Sequence, residues 1–161
     1  MKAWIKITFR LVLCHLFSYL LVSVSYYNLV MKSYYEGDNP VFATFLITEK
    51  NPTEWAIAMT WLLPFQILHA LVFVFFLILI WDWFAAQNFT KRFLTVFWLK
   101  GLVGGIASIG PSPGNLEGFL FFLSSVTTSI HLLVAFEVLL QSALTAFVFV
   151  FWTKNFKTDS P

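Results

Sequence analysis

The sequence predicts an all-α integral membrane protein, built as one domain over residues 1–161 from four transmembrane helices in an antiparallel bundle. Hydrophobic residues make up 59% of the chain and charged residues 11%, whereas a soluble domain carries about 25% charged residues. The apolar runs, such as residues 71–80, are continuous and lack the alternation of β-barrel strands. Four of them approach the length of about 20 residues that a helix needs to cross a bilayer.

The predicted spans cover residues 7–30, 56–81, 93–109 and 119–152. Arg10 and His15 interrupt the apolar part of the first span, which favours a retained helix over a cleaved signal peptide. The fourth stretch would measure about 51 Å as one helix. It therefore tilts, projects from the membrane or bends near its Ser/Thr cluster, and the sequence leaves these alternatives open.

Two loops carry their own signals. The turn-forming residues of segment 110–118 predict a tight hairpin between spans three and four. In the longer outer loop, residues 31–55, the apolar segment 41–47 is too short to cross a membrane. It is predicted to be either an interfacial helix or a lid packed over the bundle.

Basic residues set the expected orientation. They collect at the N-terminal end, in the loop of residues 82–92 and in the C-terminal tail. The positive-inside rule places these three regions, and hence both termini, in the cytoplasm. The pattern fits a bacterial inner membrane. The basic residues are scattered and the net charge is only +2, so nucleic acid is not an expected partner.

Ionisable residues at membrane depth are costly, and each one therefore suggests a function. His69 and His131 lie 13 and 12 residues into their predicted spans, at about 20 Å and 18 Å from the outer side. Two histidines at matched depth on two helices suit the axial ligands of a haem b. His15 lies close enough in depth to join them, and ordinary hydrogen-bonding histidines are the alternative.

A second pair of ionisable residues lies nearer the inner side. Lys100 is 7 residues into span three and Glu137 is 18 residues into span four. We expect the two to meet, since a buried charge costs far less when it is paired. A packing role for the pair is weighed against a path for ions or protons.

Other polar and small residues mark the inward faces. Gln66 precedes His69 by three residues, and Gln141 follows Glu137 by four, so both belong to polar faces. These faces serve either ligand or proton handling or ordinary hydrogen bonding between helices. Gly101, Gly104, Gly105 and Ser108 form small-xxx-small patterns, which predict a close helix contact within the bundle or with a second subunit.

The function predicted from these features is non-catalytic. A small subunit or partner protein would bind a protein, lipid or hydrophobic ligand within the bilayer, with membrane lipids and another membrane protein or a second copy as partners. The alternatives are a haem-b electron carrier and an oligomeric transporter or channel with Lys100 and Glu137 in its path. No sequence motif indicates a catalytic residue or a metal site, and no cofactor other than haem is suggested.

Overall fold

A computed structural model describes residues 2–38 and 40–154 of the chain. Every regular element among them is a helix. In chain order these are α1 at residues 2–36, α2 at Pro52–Leu79, α3 at Trp81–Ala85, α4 at residues 89–106, α5 at Gly118–Phe121 and α6 at Thr128–Trp152, with a 3₁₀ turn at Phe42–Thr44 between α1 and α2.

Three of these helices, α1, α2 and α6, are long and apolar enough to cross a membrane. The helical class predicted from the sequence is confirmed, and these three helices support a membrane protein. The predicted span 93–109 corresponds to α4, which is not among the three. Its 18 residues include the three basic side chains of Lys91, Arg92 and Lys100.

The fourth predicted span begins nine residues later than expected. α6 starts at Thr128 because the Thr127 side chain caps it by accepting a hydrogen bond from the Ile130 amide. The chain before it forms the short helix α5 and then turns extended at Phe122. The stretch of residues 119–152 is therefore two helices separated by a bend within the Ser/Thr cluster, and not one overlong span.

The helices enclose two apolar cores. The larger one joins α1, α2, α3, α4 and α6 through buried side chains that include Leu11, Leu77, Trp81, Val96 and Phe149. Because α1 supplies part of this core, it is an integral element of the fold.

The smaller core lies at the other end of the helices and includes the loop between α1 and α2. Phe42 is 1% exposed and packs with Met31, Val126 and Ile130. Its ring also contacts Tyr35 at a centroid distance of 4.6 Å. Of the two predictions for segment 41–47, the structure favours a lid packed over the bundle.

Helices α4 and α6 approach closely where α4 carries glycine. A Cβ added at Gly101 would lie 3.0 Å from Cβ of Ser142, and one added at Gly105 would lie 2.5 Å from Cγ1 of Val138. The predicted small-residue contact is thus formed within the chain. Gly104 is on the exposed side of α4. The Ser108 hydroxyl caps the helix end by donating to the Gly105 carbonyl at 2.7 Å.

The Gly105 contact gives a compensation test. Gly105→Ala is expected to lower the free energy of unfolding by about 1–3 kcal/mol, because the new methyl overpacks against Val138. Gly105→Ala combined with Val138→Ala is expected to recover most of the loss. Denaturant titration in detergent micelles measures both. A double variant as unstable as the sum of the single variants would contradict this packing.

Candidate functional site

Four of the sequence-predicted polar residues meet between α1, α2 and α4. His15 Nε2 donates to Oε1 of Gln66 at 3.0 Å. The rings of His15 and His69 stack with centroids 5.1 Å apart and planes 9° apart. Lys100 lines the same narrow gap beside these histidines, and Thr145 of α6 completes its polar lining. We call His15, Gln66, His69 and Lys100 the inner polar cluster.

Glu137 lies apart from this cluster. Lys100 is beside Thr145, and Glu137 precedes Thr145 by two helical turns on α6, which is about 12 Å. The structure therefore does not bring Lys100 and Glu137 together. Among the described residues, the ion pair within 4 Å joins Lys32 to Glu36 at 3.6 Å.

Glu137 instead contributes the carboxylate of a larger cavity of about 430 Å³ between α1, α2 and α6. It lies beside the Ser23 hydroxyl, which lines the same space. The rest of the lining consists of four aromatic residues, one amide and four apolar side chains. These are Tyr19, Tyr27, Tyr35 and Trp55, then Asn28, and then Val24, Met31, Met59 and Leu62. We call this space the Glu137 cavity.

Both polar sites use unusual helix geometry. In α1, the segments Tyr19–Ser23 and Tyr27–Met31 are π-helical, and each places side chains in the Glu137 cavity. In α4, the segment Trp98–Ile106 is π-helical and carries Lys100. π-Helical turns are rare in proteins, and those that occur are often found at functional sites. The wider turn changes the direction in which its side chains point.

Gln141 lies between the two sites on α6, one turn from Glu137 and one turn from Thr145. Its Nε2 is buried without a hydrogen-bond partner, which is costly for an amide donor. Glu137, Gln141 and Thr145 thus form a polar line of about 12 Å from the Glu137 cavity to the gap at Lys100.

His131 lies in a third environment. Its Nδ1 accepts a hydrogen bond from the Gly114 amide at 3.0 Å, and its ring stacks on Phe119 at a centroid distance of 4.4 Å. Because α6 begins at Thr128, His131 is only about 5 Å from the start of its helix, whereas His69 is about 26 Å into α2. The matched depth predicted from the sequence does not hold. The structure does not bring His69 and His131 together as a ligand pair.

Sequence reasoning missed two polar centres that organise the ends of the bundle. Asn115 is buried and hydrogen-bonds five groups in the loop before α6. At the opposite end, Arg92 donates to the Thr153 hydroxyl at 2.6 Å and to the Thr153 carbonyl at 3.2 Å. Arg10 donates to the Trp152 carbonyl at 3.1 Å. Positive side chains near the C-terminus of α6 stabilise it, because they interact favourably with the negative end of the helix macrodipole.

The fold and these sites define a helical membrane protein with a polar interior. Comparison with family models, with curated proteins and with solved structures found no match to the chain.

Proposed function

We propose that the protein is a non-catalytic membrane protein that binds a lipid or another hydrophobic ligand in the Glu137 cavity. The observation that carries the proposal is a cavity of about 430 Å³ with one carboxylate and a mainly aromatic and apolar lining. Ligand pockets typically measure about 300–1,000 Å³ and combine apolar walls with a few polar groups that orient the ligand. The Glu137 cavity has this composition.

The position of the cavity suits a ligand that arrives through the bilayer. Its walls are the middle and second half of α1 and the first turns of α2, and both helices are long and apolar enough to cross a membrane. Apolar side chains such as Met59 and Leu62 would contact a hydrocarbon chain. Trp55 stands at the start of α2, where aromatic side chains favour the membrane interface.

We further propose that α4 is a fourth span in an antiparallel bundle, with both termini in the cytoplasm. Contacts along the helices support this arrangement. Arg10 hydrogen-bonds to the Trp152 carbonyl and Tyr26 to the Leu133 carbonyl. Residues later in α1 therefore contact residues earlier in α6, as in an antiparallel helix pair. Arg92 bonds Thr153 whereas a Cβ at Gly105 would meet Val138, and this gives the same order for α4 and α6. The positive-inside pattern supports the orientation.

Filling the cavity tests the binding proposal. Leu62→Trp is expected to lower the amount of copurifying lipid or hydrophobic molecule about tenfold, because the larger ring occupies ligand space and overpacking costs about 1–3 kcal/mol. Mass spectrometry of extracts from the detergent-purified protein measures the retained molecules.

Leu63→Trp is the matched control for this experiment. Leu63 neighbours Leu62 on α2 but is exposed and outside the cavity lining. The control variant is expected to retain ligand as the wild type does. Equal retention by both variants, or a wild-type protein with no hydrophobic molecule bound, would overturn the proposal.

A further inference from the structure

We infer that the Glu137 cavity selects amphiphiles whose polar end is a cationic ammonium group. This inference rests on the proposed function and specifies the ligand class of the same cavity. It is carried by the combination of one acidic side chain with four aromatic residues, Tyr19, Tyr27, Tyr35 and Trp55, around one space. Each part of that combination favours a cation for its own reason.

The aromatic side chains supply rings of the kind that bind ammonium groups. Three tyrosines and a tryptophan line the cavity, and the rings of Tyr27 and Tyr35 meet edge to face, with centroids 5.3 Å apart. A cation within about 6 Å of such a ring is attracted to its negative face, most strongly where water is excluded. Clusters of aromatic rings are the common solution for quaternary ammonium ligands.

The charges around the cavity point the same way. Among the described residues of the lining, Glu137 is the one charged side chain. Lys32 follows the lining residue Met31 in sequence but is paired with Glu36 at 3.6 Å, and Glu49 adds a further negative charge near Tyr27. The local balance is negative, so a cationic ligand is attracted and a phosphate or carboxylate group is repelled.

The cost of Glu137 itself supports a ligand with the opposite charge. Within the part of the chain that the structure describes, Glu137 forms no ion pair within 4 Å, and Lys100 lines the separate gap beside His15 and His69. A carboxylate at membrane depth is expensive unless a partner compensates it. An ammonium group in the cavity would supply that partner, with Ser23 and Asn28 available as further hydrogen-bonding groups.

The test compares two probes that differ only in their polar end, hexadecylamine and hexadecanol, at neutral pH. Binding to the full-length protein in nanodiscs is measured by competition against a fluorescent hydrocarbon probe. The wild type is expected to prefer the amine by about thirtyfold, the scale of a buried charge contact. Glu137→Gln is expected to abolish that preference and leave hexadecanol binding unchanged.

A second pair of variants tests the aromatic contribution. Tyr19→Leu is expected to weaken amine binding about fivefold, the scale of one cation–π contact, and Tyr19→Phe is expected to retain it because the ring remains. Unchanged hexadecanol binding shows in each variant that the cavity is folded.

The outcomes separate this inference from the proposed function. Equal binding of both probes by the wild type, blocked by Leu62→Trp, would overturn ammonium selectivity and leave hydrophobic binding in place. A preference for hexadecylamine that survives Glu137→Gln would also overturn the inference. Binding of neither probe would overturn both.

Discussion

Asn115→Ala is expected to lower the free energy of unfolding by about 2–4 kcal/mol, because one buried side chain satisfies several backbone groups. Asn115 is 2% exposed. Its Oδ1 accepts from the amides of Ser112 at 3.1 Å and Gly118 at 2.7 Å. Its Nδ2 donates to the carbonyl of Gly110 at 2.8 Å and to Ser108. Alanine would leave these backbone groups without their partner in a partly buried loop, where the Gly118 amide is the most deeply buried of them, and each unsatisfied buried group costs about 1–3 kcal/mol.

Denaturant titration in mixed micelles measures this loss. Asn115→Asp keeps an acceptor for the two amides but removes the donor, so it is expected to lose about half as much. Asn28→Ala is the control, because Asn28 is exposed and makes a single bond to the Val24 carbonyl. Its expected change is within about 0.5 kcal/mol. Equal stability of Asn115→Ala and the control would contradict the role assigned to Asn115.

The Asn115 loop shows what sequence patterns could and could not predict. The density of Pro, Gly, Ser and Asn in segment 110–118 predicted a tight hairpin between spans three and four. The structure has a turn there, but the turn leads from α4 into the short helix α5 and not directly into α6. The pattern carries no signal for which side chain holds the turn together. The role of Asn115 depends on contacts with residues up to seven positions away in sequence. The loop also depends on Gly114, whose positive φ of 87° allows its amide to face His131.

The helical class followed from composition and from the length of the apolar runs. Bilayer thickness sets how many consecutive apolar residues a spanning helix needs, and that number can be counted in the sequence. Helix ends were predicted less well. α6 begins at Thr128 since one threonine cap outweighs nine preceding residues of mixed apolar and polar character. That shift moved His131 away from the level of His69, so a ligand pair inferred from depth depended on a boundary that hydropathy does not fix.

The two polar sites were predicted unequally. The i,i+3 spacing of Gln66 and His69 placed them on one face of α2. In the structure, His15 of α1 and Lys100 of α4 lie beside that face. The aromatic lining around Glu137 gave no sequence signal, because Tyr19, Tyr27 and Tyr35 are ordinary members of an aromatic-rich helix. Their convergence depends on the π-helical turns of α1, whose register the 3.6-residue period does not describe.

Lys100→Met is expected to raise the free energy of unfolding by about 2 kcal/mol. Lys100 lines a narrow gap with His15, His69 and Phe73. No carboxylate lies within 4 Å of its ammonium group among the described residues. A half-buried cation without a countercharge is still costly, whereas methionine has a similar shape and no charge to desolvate. The substitution therefore removes a penalty and keeps the packing between α1, α2 and α4.

Equilibrium unfolding in micelles compares Lys100→Met with Lys91→Met. Lys91 is an exposed lysine of the same helix, and its replacement is expected to change stability by at most about 0.5 kcal/mol. A loss of stability in Lys100→Met would mean that the ammonium group has a compensating partner in the folded protein, which contradicts the argument. A gain confined to Lys100 would mean that the chain keeps this lysine at the expense of stability. That is the pattern expected of a residue retained for function, and it would direct functional assays to the inner polar cluster and to the polar line that leads from it to Glu137.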